Sequence, residues 1–266
     1  GLISTEISYF ASGYYQFPAN IIVSASHNPP QYNGLKIVTK NATALHGSFG
    51  LPEIKQLALQ QDFPNTAKKG KVSYQNILDD WITHCLKFIN LSKLRPLKVV
   101  IDAGNGMAGI SWSKLIDKLP VKIIPLYFEP NGRFPHHLPD PIKARNLLDL
   151  QKAIVQNQAD LGLATDGDAD RLFAVDEKGN TLPGTITTAM LAAHLLTKSG
   201  PGAVLYNAVC GKIVPEIIAK QGGKPIRVRV GHSFIKEYMK KHDAIFAGEH
   251  SGHFYFRDNY FADSST

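Results

Sequence analysis

Short apolar runs alternate with longer segments of helical period almost from end to end, and this alternation limits the possible folds more than any other feature of the chain. The pattern is typical of layered α/β domains and disfavours a helical bundle or a β-sandwich. The candidate strands are Ile21 to Ser24, Leu35 to Val38, Val99 to Ile101, Val121 to Leu126, Leu161 to Ala164, Leu172 to Val175, Ala203 to Tyr206, Ile226 to Val230 and Ala244 to Ala247.

Helices are expected between these strands, and the clearest is predicted from Tyr74 to Ile89. Its apolar residues recur at helical spacing and form a single stripe. The stripe consists of Ile77, Leu78, Trp81, Ile82, Cys85 and Ile89. Trp81 and Cys85 are therefore expected to be core positions.

Clusters of turn-forming residues divide the chain into three predicted domains, at residues 1–70, 71–180 and 181–266. The polar segment from Asp62 to Gly70 is typical of a linker, and the turn from Glu177 to Asn180 closes a strand. The first and third domains are expected to be incomplete, because the chain begins without a strand of its own and stops at Thr266 after an aromatic-rich segment.

The net charge of +7 would suit a nucleic-acid partner, but the 29 Lys and Arg residues are scattered along the chain. No repeat combines basic residues with aromatic ones of the kind that stack on bases, so nucleic-acid binding is disfavoured. An anionic small substrate accounts for the excess charge equally well.

Cys85 and Cys210 lie far apart with no CxxC motif, which argues against a disulfide framework or a zinc site and for a reducing compartment. No apolar run approaches the roughly 18 residues that cross a bilayer, and no secretory leader is recognisable. A cytoplasmic location is therefore expected, with no membrane partner.

Three carboxylates occupy alternate positions directly after the apolar run Leu161 to Ala164: Asp166, Asp168 and Asp170, followed by Arg171. Clustered oxygen ligands suit a hard cation such as Mg²⁺, and the adjacent guanidinium suits a phosphate. An EF-hand also uses alternating Asp residues, but Arg171 stands at its sixth position, where the turn requires Gly. The flanking segments are also strand-like, so the calcium loop is rejected.

A serine and a histidine crowd the loop that follows the first candidate strand, where Pro29 and Pro30 prevent a helix. Ser26 is a poor nucleophile unless a base or a metal activates it, and His27 could supply the base. Lys36, a little further on, could balance phosphate charge. For this segment alone, a solvated polar turn is the simpler interpretation.

Gly104, Gly106 and Gly109 fit the G-x-G-x-x-G pattern of a dinucleotide site, and the acidic Glu129 follows roughly 20 residues later. A glycine-rich turn between strand and helix is equally what tight packing requires. The dinucleotide site is therefore the minority interpretation.

Late in the chain, His232 and Ser233 precede a predicted helix from Phe234 to Lys241, with Ser233 as its N-cap. A glycine-flanked loop then carries Glu249, His250, Ser251 and His253, a mixture that could bind the hydroxyls of a sugar. The two histidines and Glu249 could also bind zinc, but no further ligand at metal spacing completes a tetrahedral set.

These motifs, in this order, resemble the signature loops of the α-D-phosphohexomutases. The matching segments are Ser24 to Pro30 with Tyr32 to Ile37, Asp166 to Arg171, Gly231 to Ser233 and Gly248 to His253. The form of the last loop is most similar to the phosphomannomutase/phosphoglucomutase branch. In this family Asp102 to Gly109 is a structural turn rather than a cofactor loop.

The resemblance implies a role for each matching residue. Ser26 is implied to be a phosphoserine that exchanges its phosphoryl group with a hexose phosphate. Asp166, Asp168 and Asp170, together with Ser26, would bind Mg²⁺. Arg171 and Lys36 would neutralise the transferred charge, His27 would assist proton transfer, and His232 would line the site. Glu249 and Ser251 would bind sugar hydroxyls with His253 nearby, and Lys212 is the nearest residue to a basic position of the family.

The implied protein has three consecutive mixed-sheet α/β domains and interconverts hexose 1-phosphate and hexose 6-phosphate through a hexose 1,6-bisphosphate. The family's N-terminal arginine loop and C-terminal phosphate-binding domain have no counterpart in these 266 residues, so little or no turnover is expected from this chain alone. A Mg²⁺-dependent sugar-phosphate phosphatase and a non-catalytic sugar-phosphate or dinucleotide-binding module remain alternatives. The sequence does not distinguish mannose from glucose as the preferred sugar, and it does not predict the oligomeric state.

Overall fold

The structure is a computed structural model that describes residues 1–61, 63, 67 and 69–266. Three β-sheets with flanking helices follow one another along the described chain, which confirms the α/β class and the three-domain organisation. Much of the predicted linker from Asp62 to Gly70 lies outside the described residues.

The first sheet has three antiparallel strands, and it carries the serine loop between its first two strands. The strands are β1 (Ala19–Val23), β2 (Leu35–Thr39) and β3 (Thr43–Ala44), and the helices of this domain are α1 (Thr5–Tyr14) and α2 (Leu51–Gln60). Helix α1 is buried from Thr5 to Gly13, so the side chains on all of its faces have neighbours. It therefore lies inside the molecule rather than on its surface.

The second sheet has the order β5-β4-β6-β7-β8, in which β4 is parallel to both β5 and β6, and β7 is antiparallel to both β6 and β8. Its strands are β4 (Lys98–Asp102), β5 (Lys122–Leu126), β6 (Leu161–Thr165), β7 (Leu172–Asp176) and β8 (Thr181–Leu182), and its helices are α3 (Leu78–Leu86), α4 (Ala108–Leu115) and α5 (Leu148–Asn157). The acidic loop is the hairpin connection from β6 to β7. This arrangement fixes both ends of the loop in the sheet.

The third sheet has the order β10-β9-β11-β12-β13, with β9 parallel to both β10 and β11. Its strands are β9 (Ala203–Asn207), β10 (Lys224–Val228), β11 (Phe246–Gly248), β12 (Phe254–Phe256) and β13 (Ala262–Asp263), and its helices are α6 (Gly184–Ser199), α7 (Ile213–Lys220) and α8 (His232–His242). Parallel pairs thus occur in the second and third sheets.

One hydrophobic core joins the first domain to the second. Ile7 and Phe10 of α1 pack in the same buried cluster as Trp81 of α3, Ile101 of β4 and Trp112 of α4. Burial of side chains of this size contributes roughly 1.5–3 kcal/mol each. The domain that carries the serine loop is therefore held against the domain that carries the acidic loop by apolar packing.

All nine predicted strands are present, with ends within two residues of the prediction. The sequence pattern missed the short strands β3, β8, β12 and β13, which are too short to show a period. Helix α3 begins at Leu78 rather than Tyr74 and ends at Leu86 rather than Ile89. It begins there because the side chain of Asn76 accepts a hydrogen bond from the backbone N–H of Leu78 at 3.1 Å, while Tyr74 is 95% exposed.

Two further details differ from the sequence interpretation. The N-cap of α8 is Gly231 rather than Ser233, because the backbone there has φ +128, which glycine tolerates best. Trp81 is buried as expected, whereas Cys85 is only half-buried. Among the described residues, no helix is both long and apolar enough to cross a membrane.

A substitution at Gly109 tests how tightly the glycine-rich turn is packed. A Cβ atom at this position would lie 1.9 Å from the carbonyl oxygen of Phe128, so the backbone must move to admit one. We expect Gly109→Ala to lower the free energy of unfolding by about 1–3 kcal/mol, measured by urea denaturation. Gly132→Ala in the same domain is the control, because its Cβ would have no atom within 4 Å; equal midpoints for the two variants would contradict the prediction.

Candidate active site

The serine loop and the acidic loop meet at their tips. The Ser26 hydroxyl donates a hydrogen bond of 2.8 Å to Asp166 Oδ2 and lies 3.2 Å from His27 Nδ1. Ser24 fixes the loop, since its Oγ accepts from the Ser26 N–H at 2.9 Å and donates to Asp168 Oδ2 at 2.7 Å. Two residues separated by 140 positions in the sequence are therefore in direct contact, as the phosphoserine hypothesis requires.

The backbone at this contact is unusual. Ser26 has φ +55, a left-handed conformation that costs a non-glycine residue about 1–3 kcal/mol. A Cβ on Gly167 would lie 2.4 Å from the carbonyl oxygen of Ser26, so only glycine allows the two loops to approach this closely. The strained serine and the glycine together place the hydroxyl beside the carboxylates.

Lys36 neutralises two of the three carboxylates. Its Nζ lies 2.6 Å from Asp168 Oδ2 and 2.5 Å from Asp170 Oδ2. Burial alone would lower the pKa of Lys36, but the charges of Asp170 and Asp168 raise it well above its usual value. The ammonium group therefore carries its charge inside the site.

The three carboxylates are buried, and they fit a divalent cation. Oxygens of Asp166, Asp168 and Asp170 lie within 4.8 Å of one another. Burial, followed by the charges of Asp170 and Asp168, raises the pKa of Asp166, whereas Lys36 and His253 outweigh burial at Asp170 and lower its pKa. Asp168 Oδ1 has no hydrogen-bond partner among the described residues, and such a buried lone pair suits a hard cation.

Arg171 and His253 also contact the carboxylates of the acidic loop. Arg171 Nε lies 3.2 Å from His253 Nε2 and 3.5 Å from Asp166 Oδ2, and His253 Nε2 lies 3.4 Å from Asp170 Oδ1. Burial lowers the pKa of His253, but the charge of Asp170 outweighs burial and the net pKa is raised. The third domain therefore contributes a cationic or hydrogen-bonding group directly to the acidic loop.

The predicted sugar loop is more enclosed than its sequence suggests. Glu249 is 2% exposed, and its carboxylate accepts hydrogen bonds from Asn207 Nδ2 at 2.9 Å and from the Tyr255 hydroxyl at 2.5 Å. Ser251 Oγ lies 3.0 Å from His253 Nδ1. Asn207 and Tyr255 were not singled out from the sequence, because each lies on a strand and touches Glu249 only after the sheet forms.

The remaining predicted residues differ in how close they lie to the acidic loop and to His253. His232 begins α8, its ring lies 6.5 Å from that of His253, and burial lowers its pKa to about 4. Lys212 is exposed before α7, and its side chain has no hydrogen bond or ion pair to any residue in the described ranges. His250 turns away, to 2.9 Å from Thr185 Oγ1, so it does not join His253 in a zinc site.

A cavity of about 270 Å³ is lined by Tyr9, Lys36, His46 and His232, among others, and of these Lys36 contacts Asp168 and Asp170. A larger cavity of about 450 Å³ lies elsewhere, between the second sheet and α6, and Trp81, Trp112 and Leu191 are among its lining residues. The larger cavity is mainly apolar and contains none of the predicted site residues. The smaller one is therefore the better place for a polar substrate.

The glycine-rich turn supports the acidic loop instead of binding a cofactor. A Cβ on Gly106 would lie 2.6 Å from the carbonyl oxygen of Gly167, and the Met107 N–H donates to that oxygen at 2.8 Å. The space beside Gly109 is filled in the same way by the backbone of Phe128. The space that a pyrophosphate would need is filled by backbone, in agreement with the structural interpretation of this turn.

Most of the chain matches the domains of a known protein family. The phosphoglucomutase/phosphomannomutase alpha/beta/alpha domains I, II and III match residues 1–65, 79–179 and 183–265. The chain belongs to the phosphoglucomutase/phosphomannomutase family. The predicted domain boundaries, which lie close to these ranges, stay a prediction.

Two curated relatives and one solved structure illustrate the similarity. The chain is 36% identical over 269 residues to a Vibrio cholerae phosphomannomutase and 38% identical over 264 residues to one from Methanocaldococcus jannaschii. These alignments cover 99% and 97% of this chain, but 58% and 57% of the relatives. A phosphoglucomutase/phosphomannomutase family protein from Burkholderia thailandensis has a TM-score of 0.89 at 30% identity, covering 99% of this chain and 58% of that one.

The pair formed by half-buried His137 and buried Asp102 is expected to make stability depend on pH. His137 Nε2 lies 3.0 Å from Asp102 Oδ2. Burial lowers the pKa of His137, but the hydrogen bond and charge of Asp102 outweigh it, so the pKa is raised. The imidazolium therefore stabilises the fold fully below the unfolded pKa, near 6.5, and this contribution is lost as pH rises through the folded pKa.

We expect His137→Gln to lower the urea midpoint more at about pH 6 than at about pH 9. His194→Gln, an exposed position on α6, is the control and should show no such difference. Equal losses at the two pH values would show that the pair carries no charge in the folded chain.

Proposed function

We propose that this chain carries the phosphoryl-transfer centre of a phosphohexomutase, which interconverts hexose 1-phosphate and hexose 6-phosphate, with mannose or glucose as the sugar. The observation that carries the proposal is the contact of 2.8 Å between Ser26 Oγ and Asp166 within a buried set of three carboxylates. Because the chain spans only 58% of the length of its curated relative, the activity of the whole protein is part of the proposal.

The proposed cycle moves one phosphoryl group at each end of the sugar. Phosphorylated Ser26 transfers its phosphoryl group to the free C6 hydroxyl of hexose 1-phosphate, giving hexose 1,6-bisphosphate and free Ser26. After the sugar turns over, the phosphoryl group on C1 returns to Ser26, and hexose 6-phosphate is released. Phosphoryl transfer depends mainly on positioning and on positive charge, which the half-buried Lys36 and Arg171 can supply.

Mg²⁺ is the proposed cofactor, bound by Asp166, Asp168 and Asp170 with Ser26 beside them. When bound, the ion would neutralise charge on the transferred phosphate. His27 lies 3.2 Å from the serine hydroxyl, within reach to exchange its proton. His232, Glu249, Ser251 and His253 are proposed to line the sugar site, with Lys212 as an outlying candidate for phosphate contact.

Labelling of the serine tests the half-reaction without requiring turnover. We expect hexose 1,6-bisphosphate to add one phosphate to the chain, detected by intact mass and mapped to Ser26, and we expect Ser26→Ala to abolish this labelling. Ser48→Ala, at an exposed loop position, is the control and should be labelled normally. Undiminished labelling of Ser26→Ala would overturn the proposal, whereas release of inorganic phosphate without an isomer would favour the phosphatase.

Metal binding is tested separately by calorimetric titration with MgCl₂. Asp168→Asn removes one charged ligand of the proposed set, so we expect Mg²⁺ affinity to fall by at least about tenfold. Asp117→Asn is the matched control, because Asp117 is exposed and distant in sequence from the acidic loop. Equal Mg²⁺ affinity in the two variants would contradict the proposed ligand set.

A further inference from the structure

Lys236 is a buried lysine behind the site that the proposed reaction does not use. It lies on α8 one turn after His232, so the two side chains share a face of the helix. Its Nζ lies 2.6 Å from Asp263 Oδ1 and 3.5 Å from the centroid of the Tyr9 ring. Lys236, Asp263 and Tyr9 are 2%, 0% and 1% exposed, and they belong to α8, β13 and α1.

A pair of this kind is costly to retain for stability alone. Desolvation of a buried ammonium and a buried carboxylate typically cancels much of their attraction, and apolar replacements are often equally stable. Among the described residues, neither side chain makes a hydrogen bond to any group other than its partner in the pair, so the two charges compensate each other. A buried ion pair without further hydrogen bonds points to a role beyond stability.

The neighbours of Asp263 indicate what that role is. One oxygen of Asp263, one of Asp170 and a ring nitrogen of His253 lie within 4.8 Å of one another. His253 thus lies close to two buried carboxylates, one of which, Asp170, also binds Lys36. If Asp263 had no cation of its own, it would compete with Asp170 for the imidazole, because opposite charges attract strongly in a buried environment.

The contact with Tyr9 adds a second constraint. Tyr9 and Lys36 of the first domain line the same cavity as His232, which begins the helix that carries Lys236. A cation over an aromatic face is attracted by the ring, and more strongly when both are desolvated. Lys236 therefore ties α8 to α1 at the point where the two domains share this cavity.

We propose that Lys236 is a positioning residue: its ammonium compensates Asp263, so that His253 stays against Asp170 and Arg171, and it fixes His232 of α8 opposite Lys36. The catalytic consequence rests on the proposed phosphoryl transfer at Ser26. The placement of the His232 and His253 imidazoles does not depend on that reaction, so it can be measured by itself.

The test compares Lys236→Met, which keeps most of the length of the side chain and removes the charge, with Lys236→Arg, which keeps the charge. We expect Lys236→Met to slow the labelling of Ser26 by hexose 1,6-bisphosphate on the order of tenfold to a hundredfold, with little change in the half-saturating concentration. Lys236→Arg should recover most of the rate. Lys241→Met, exposed on the same helix, is the control and should match the unsubstituted chain.

A spectroscopic readout separates this inference from the proposed function. In the full chain with ¹⁵N-labelled histidine, Lys236→Met should move the side-chain signals of His232 and His253 and leave that of His194 unchanged. If the unsubstituted chain is not labelled on Ser26, the proposed function fails and these signals alone decide the inference. Unmoved signals in Lys236→Met, or a normal labelling rate in that variant, would overturn it.

Protein stability is the competing explanation, so thermal unfolding of each variant is measured alongside. A lower melting temperature with normal signals and a normal rate for the folded chain would assign Lys236 a structural role only and overturn the inference. If Lys236→Met does not fold, Asp263→Asn replaces it, since it removes the other charge of the pair and keeps the shape. The same shift of the His253 signal is expected there.

Discussion

The structure depends on the compensation of negative charge in one buried place. Asp166, Asp168 and Asp170 are each nearly inaccessible to solvent, and unpaired carboxylates in such an environment would be costly. Their partners come from all parts of the chain: Lys36 from the first domain, Arg171 from the acidic loop itself and His253 from the third domain. The cations that compensate the charge of the acidic loop are also those proposed to contact the transferred phosphoryl group.

Helix α1 connects this charge cluster to the rest of the molecule. At its start, the Thr5 hydroxyl donates to Asp168 Oδ2 at 2.6 Å. Glu6 points the other way, and its buried carboxylate accepts hydrogen bonds from the backbone N–H groups of Ser265 and Thr266 at 2.9 and 3.1 Å. Burial raises the pKa of Glu6 more than these hydrogen bonds lower it. One helix therefore holds the acidic loop on one side and the segment after β13 on the other.

Much of this arrangement was predictable where the signal is local. The nine strands could be found because apolar runs between breakers are read from adjacent residues, and the acidic loop could be placed after β6 for the same reason. Helix α1 escaped prediction because a helix buried on every face lacks the polar stripe that makes a period visible. Lys236 and Asp263 escaped because they are 27 positions apart and neither has a local motif, so only the closing of the third sheet brings them together.

The sequence by itself determined the chemistry: which oxygens, imidazoles and cations are available, and which strand ends carry them, since residue type and local pattern depend on near neighbours alone. The tertiary structure decided how those groups are shared. It brought Ser26 into contact with Asp166, 140 positions away, and it placed Lys36 against two carboxylates at once. It also buried Glu249, which binds Asn207 and Tyr255, and it left Lys212 exposed. These outcomes depend on distances between remote segments, which are fixed only when the sheets pack around α1.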